Sequence, residues 1–108
     1  MDLRFPSDAQ FDLIVADGSL TGFASAGDRL RCFDLALFAA PIEDGDIVVA
    51  ERASETLTRR VRRLGARIEL WPLSGAGAPE GQVIVIHEDA VSPSAKIIAK
   101  VLLAYRLA

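Results

Sequence analysis

Turn signals recur so closely along this chain that no long element fits between them. Asp17-Gly18, Gly27-Asp28, the run Glu43-Asp44-Gly45-Asp46, Leu64-Gly65-Ala66 and the stretch GAGAPEG over 75–81 divide it into short segments. Glycine and aspartate mark turns because they tolerate backbone conformations or local hydrogen bonds that other residues resist. Between these breaks lie strand-like runs. FDLIVA leads into Asp17-Gly18. DRLRCFDLALF sets Leu30 and Cys32 against Arg29, Arg31 and Phe33, a period of two. IVVAER is β-branched, ETLTRRVRRL and RIELW meet as a hairpin at Leu64-Gly65-Ala66, and QVIVIHE is a strong strand. The segment AKIIAKVLLAYRLA fits either a helix, by Ile97, Val101 and Tyr105, or a buried strand, and periodicity leaves that choice open. The expected fold is therefore mainly β.

With 108 residues, 51% of them apolar and 25% charged, the chain suits one domain with one core. Residues 1–10, polar and containing Pro6, read as a tail or linker remnant, with the domain over 11–108. The chain contains no repeat. Its longest apolar runs are too short to span a bilayer as a helix, and no secretory signal opens it. One cysteine, Cys32, leaves no internal disulfide and suits a reducing cytoplasm, and with a single histidine it argues against a structural metal. No cofactor motif is present. The net charge of −3 disfavours a generally basic nucleic-acid surface, although the run Arg59-Arg60-Val61-Arg62-Arg63 is locally basic.

Ser19 follows Asp17-Gly18. Alone it is turn chemistry or a helix cap, since a serine hydroxyl becomes a nucleophile only beside a base. The order of pieces around it carries more. Asp17-Gly18-Ser19-Leu20, then Gly27-Asp28-Arg29-Leu30, Gly45-Asp46-Ile47-Val48, Leu57-Thr58-Arg59-Arg60 and Ile68-Glu69-Leu70-Trp71-Pro72 follow one another at consistent spacing. This series resembles the C-terminal domain of LexA-like and phage CI-like repressors, the self-cleaving serine–lysine peptidases that include UmuD. The resemblance runs from about Phe11 onward. It implies a small β domain of several short, strongly bent strands with β-hairpins. It also implies that Ser19 stands at the nucleophile position, supported by Asp17, Gly18 and Leu20, the last replacing the family's frequent methionine.

The resemblance sets Arg59 where that family has its lysine base, and the substitution decides the chemistry. A buried lysine can lose its proton and then accept one from serine, whereas a guanidinium stays protonated. In an extended strand Leu57, Arg59 and Val61 share one face and Thr58, Arg60 and Arg62 the other. Arg59 thus has apolar neighbours on its own face, although all four arginines of the run also fit a solvated hairpin surface. If inward, it needs a carbonyl or carboxylate partner, and Asp17 is one candidate. His87, Lys96 and Lys100 are the other conceivable bases, and none matches the family position.

No Ala-Gly or Cys-Gly cleavage segment precedes Ser19, and Ala26-Gly27 falls after it, at a turn. No helix-turn-helix pattern is present. Three readings follow. The first is a non-catalytic regulatory and dimerisation domain of a LexA/CI-like repressor. There the implied partner is a second copy paired through Lys96–Arg106, a segment that could instead simply close the core. DNA would be bound only by a separate domain, and a protein antagonist or small ligand would relieve repression. The second is an active serine autopeptidase with an unusual base. The third is a small β domain binding peptide or nucleic acid through Arg59–Arg63.

Overall fold

The structure is a computed structural model that describes residues 7–15, 23–37, 39–73, 83–89 and 93–106. A 3-10 turn at Ser7–Ala9 leads into seven strands: β1 Gln10–Ile14, β2 Arg29–Asp34, β3 Ile47–Arg52, β4 Glu55–Leu64, β5 Arg67–Trp71, β6 Ile84–His87 and β7 Lys96–Tyr105. They form one antiparallel sheet in the order β1-β2-β7-β3-β4-β5-β6. The mainly β expectation holds. The supposed tail over 1–10 is shorter than expected, because Ala9 is buried and β1 begins at Gln10, in register with Phe33.

The hairpins follow from local chemistry. Gly65 and Ala66 join β4 to β5 as a two-residue loop with Leu64 opposite Arg67, and Gly65 has φ +64°. A positive φ at the first loop position suits the strand twist and is natural for glycine. Ala53 and Ser54 join β3 to β4 in the same way, but there Ala53 takes φ +54°. An L-residue with a Cβ pays a steric penalty in that region.

The segment 96–105 is a strand, not a helix. It lies inside the sheet, bonded to β2 through residues 99–105 and to β3 through 96–100. Among the described strands the edges are β1 and β6, and β7 is interior, with residues 101–105 paired to β2 alone. It closes the core. Its register shifts once against each neighbour, leaving Ile98 and Leu102 as extra residues. Such bulges bend and twist a strand, and the apolar residues divide into two clusters accordingly. Val48, Ala50, Val61, Ile68, Leu70, Ile84 and Ile86 pack on one face. Val15, Leu30, Cys32, Val49 and Ala99 pack on the other. Val48, Val49 and Ala50 are all buried because β3 is covered on both faces.

Two turns are built alike. Ser25-Ala26-Gly27-Asp28 and Glu43-Asp44-Gly45-Asp46 place glycine third, at φ +90° and +89°, the geometry of a type II turn. In each, the aspartate N–H donates to the carbonyl of the first residue, at 2.9 and 3.1 Å. The aspartate carboxylate in turn accepts that first residue's N–H, at 2.9 and 2.8 Å. Each turn exchanges two backbone bonds with a neighbouring valine, Val15 in one and Val61 in the other. Each aspartate also meets a cation near β7: Asp28 with Arg106 at 2.8 Å, and Asp46 with Lys100 at 3.0 Å. The sequence shows no repeat, yet the fold repeats this turn on both sides of β7.

Candidate functional site

Cross-strand register fixes the surroundings of Arg59. Val48 lies opposite Arg59 on one side and opposite Lys100 on the other, and Lys100 lies opposite Phe33. Directly opposed residues share a face, so Arg59, Val48, Lys100 and Phe33 form one row across four strands. At ordinary strand spacing the Arg59 and Lys100 backbones are roughly 10 Å apart. Leu57 and Val61 flank Arg59 along β4 and pack in or against the same cluster. The inward reading of Arg59 is therefore correct.

The run of arginines divides by strand parity. Arg59 and Arg63 are half-buried, whereas Arg60 and Arg62 are exposed. Arg63 is structural: its guanidinium donates to the carbonyls of Ile42 and Gly65 and pairs with Glu88. It ties the hairpin loop, the segment before β3 and the end of β6 into one corner. Arg59 is different. Its Nη1 donates to the carbonyl of Thr58 at 2.9 Å, while its buried Nε has no acceptor among the described residues. Burial lowers the Arg59 pKa below the usual guanidinium value; the nearby Arg52 charge adds to this and Glu55 opposes it. A guanidinium so placed can donate a hydrogen bond to a carbonyl or an anion and cannot take up a proton.

The other conceivable bases are accounted for. The Lys100 ammonium, buried at 8% exposure, donates to the Pro41 carbonyl at 2.9 Å and pairs with Asp46. Held between a carbonyl and a carboxylate, it is a structural cation. His87 alternates with the inward Ile84 and Ile86, so it lies exposed on the opposite face from Arg59. Lys96 is exposed at the start of β7. Asp17, Gly18, Ser19 and Leu20 lie outside the described residues; of the residues singled out from the sequence, the row holds Arg59 and Lys100. Among the described residues, no group of three or more His, Cys, Asp or Glu side chains converges as a metal site. Cys32 is buried, its Sγ facing the Leu30 carbonyl, and burial pushes its thiol up to about 11.

Two features escaped the sequence reading. One is Lys100 as a cation holding a turn, a contact between residues far apart in the chain. The other is Trp71. The loop at Gly65-Ala66 sets Leu64 opposite Arg67, and counting back from there sets Arg60 opposite Trp71. The arginine run therefore has an aromatic neighbour across the strand pair. No protein-family model and no curated protein matches the sequence.

Proposed function

We propose that this chain is a regulatory and dimerisation domain of the LexA/CI-like kind that has lost proteolysis, acting in the cytoplasm as a homodimer. DNA would be bound by a separate domain. The observation that carries this reading is Arg59: an inward, desolvated guanidinium on the strand face where the resemblance calls for a lysine base. A site that keeps the surroundings of a base but substitutes a group unable to accept a proton binds without cutting. The engagement of Lys100 with Asp46 and the outward position of His87 support the same reading, since neither offers a substitute base on that face. Only Ala99 and Lys100 of β7 are paired on both sides, and residues 101–105 pair with β2 alone, so a dimer through Lys96–Arg106 could use backbone only over 101–105 and would otherwise use side chains. Leu103, half exposed, and Tyr105 are the candidates.

The test is labelling by a serine-directed fluorophosphonate at pH 7 and pH 10, with Ser19→Ala as control and Arg59→Lys alongside. The expected result is no labelling of the wild type and Ser19-dependent labelling of Arg59→Lys. Labelling of the wild type that vanishes in Ser19→Ala would show a working base and overturn the non-catalytic reading. Sedimentation over a range of concentrations checks the dimer, and a monomer at every concentration would remove that part.

A further inference from the structure

The outer face of β4–β6 carries a second arrangement, independent of Ser19 and Arg59. In register across the strands, Ile47, Arg60 and Trp71 form one row. Arg62, Glu69 and Val85 form the next, and Leu64, Arg67 and His87 the third. An open groove of about 490 Å³ lies here, lined by Asp44, Gly45, Arg60, Val61, Arg62 and Trp71. Both acidic groups beside it are already engaged. Asp44 accepts the N–H of Arg63 at 2.8 Å. Glu69, buried at 8% exposure, accepts the Trp71 indole N–H at 3.2 Å and pairs with Arg67 at 3.0 Å. Those two bonds fix the indole at the groove wall. The side chains of Arg60 and Arg62, by contrast, make no hydrogen bond or ion pair among the described residues, and both residues are exposed. Two residues apart on a strand, their Cα atoms are about 7 Å apart, the spacing of alternate residues in an extended peptide.

We propose that this face binds an acidic, extended peptide segment of a partner protein, with Trp71 as the apolar anchor and Arg60 and Arg62 as carboxylate clamps. Charge complementarity selects the occupant: with Arg67 paired to Glu69, Arg60 and Arg62 stand against the single remaining carboxylate of Asp44, which leaves this face locally positive on a chain whose net charge is −3. The apolar side chains that border the arginines, half-buried Ile47 and Val85 and half-exposed Leu64, favour an occupant that alternates acidic and apolar side chains. A nucleic acid strand fits less well. It would call for a longer basic track and several stacking rings, and the face offers one aromatic residue. Arginine and tryptophan are also the residues that dominate binding energy at protein interfaces.

Trp71 is the sole tryptophan of the chain, so its emission reports the groove directly. The experiment titrates the protein with the acetylated, amidated pentapeptide Asp-Leu-Glu-Phe-Asp, with Lys-Leu-Lys-Phe-Lys and with hexathymidylate. The expected result is a saturable change in Trp71 emission with the acidic peptide alone, weakened by salt. In Arg60→Gln/Arg62→Gln, loss of the charge-assisted contacts should weaken binding about tenfold. Both positions are exposed, and an unchanged thermal midpoint would show that the variant folds. No saturable change, an equal response to the basic peptide, or tighter binding of hexathymidylate would each overturn the proposal. None of these outcomes bears on whether Ser19 is reactive.

Discussion

The twin turns invite one quantitative comparison, because the cation is buried in one copy and exposed in the other. Lys100→Met removes the cation from Asp46 while keeping an unbranched chain to fill the site. Removing one partner of a buried pair costs about 3–5 kcal/mol, because the remaining charge is left uncompensated. Asp46 keeps the Glu43 N–H and its side chain is 24% exposed, so water reaches it. The loss should fall at the low end, about 3 kcal/mol. For a domain of this size, each kcal/mol moves the thermal midpoint by roughly 4 °C, so a drop of about 12 °C is expected. Adding Asp46→Asn to that variant should recover about 1 kcal/mol or more, since the stranded charge is gone and an amide oxygen can still accept the Glu43 N–H. Arg106→Gln perturbs the matching contact to Asp28, but the Arg106 side chain is 71% exposed. Solvent screening leaves such a pair little to contribute, and although the Asp28 side chain is 13% exposed the midpoint should fall by much less than in Lys100→Met. Calorimetry of the wild type and the three variants checks this. Equal losses for Lys100→Met and Arg106→Gln, or no recovery in the double variant, would refute the claim that burial sets the strength of these contacts.

Other expectations follow from the geometry. Ala53→Gly relieves the positive φ of the β3–β4 loop and should raise stability by about 0.5–1 kcal/mol, read as a higher urea midpoint. Arg59→Met removes a desolvated guanidinium with an unsatisfied Nε and should raise the thermal midpoint; a fall would mean that Arg59 has a strong structural partner. Hydrogen bonds from Arg31 and then Tyr105 hold the Asp12 carboxyl below its usual 3.8, and Arg106, then the Ser25 N–H, do the same for Asp28. Depressed folded-state values stabilise the fold above about pH 4 and lose that contribution as pH falls through them. Urea midpoints measured from pH 6 to pH 2.5 should therefore fall on the acid side, less steeply in Asp12→Asn. Cys32, buried and with its thiol raised to about 11, should resist a thiol-directed disulfide reagent at pH 8 until the protein unfolds.

Strands with one wet face were legible in the sequence, because alternation marks them. Arg59, Arg60 and Arg62 could be sorted by parity, and the structure agrees with the sorting. The strand over 96–105 was not legible: buried on both faces over Ala99 and Lys100, it loses the period of two that would have distinguished it from a helix. Gln10 was assigned to a tail because its polar neighbours concealed an edge strand that pairs only with β2. The Gly-Asp pairs were visible, but their equivalence was not, since it depends on Val15, Val61, Lys100 and Arg106 arriving from distant segments. The row holding Arg59 and Lys100 likewise required the sheet order, which no local pattern encodes.

That order governs how the molecule comes into being on a ribosome. Residues 96–105 are the seam of the sheet, yet they follow every other strand in the sequence. Until they emerge, β2 has only β1 beside it and β3 has only β4. The nascent chain therefore holds a hairpin and a four-stranded meander, each with an open inner edge. Neither aspartate turn has its cation at that stage, because Lys100 and Arg106 are still to come. The arrangement predicts a late, cooperative joining step and an interval in which two half-sheets with open edges are exposed to other chains. A ribosome-arrested chain halted before residue 96 should be protease-sensitive throughout, and one carrying residue 106 clear of the exit tunnel should be protected in a single step.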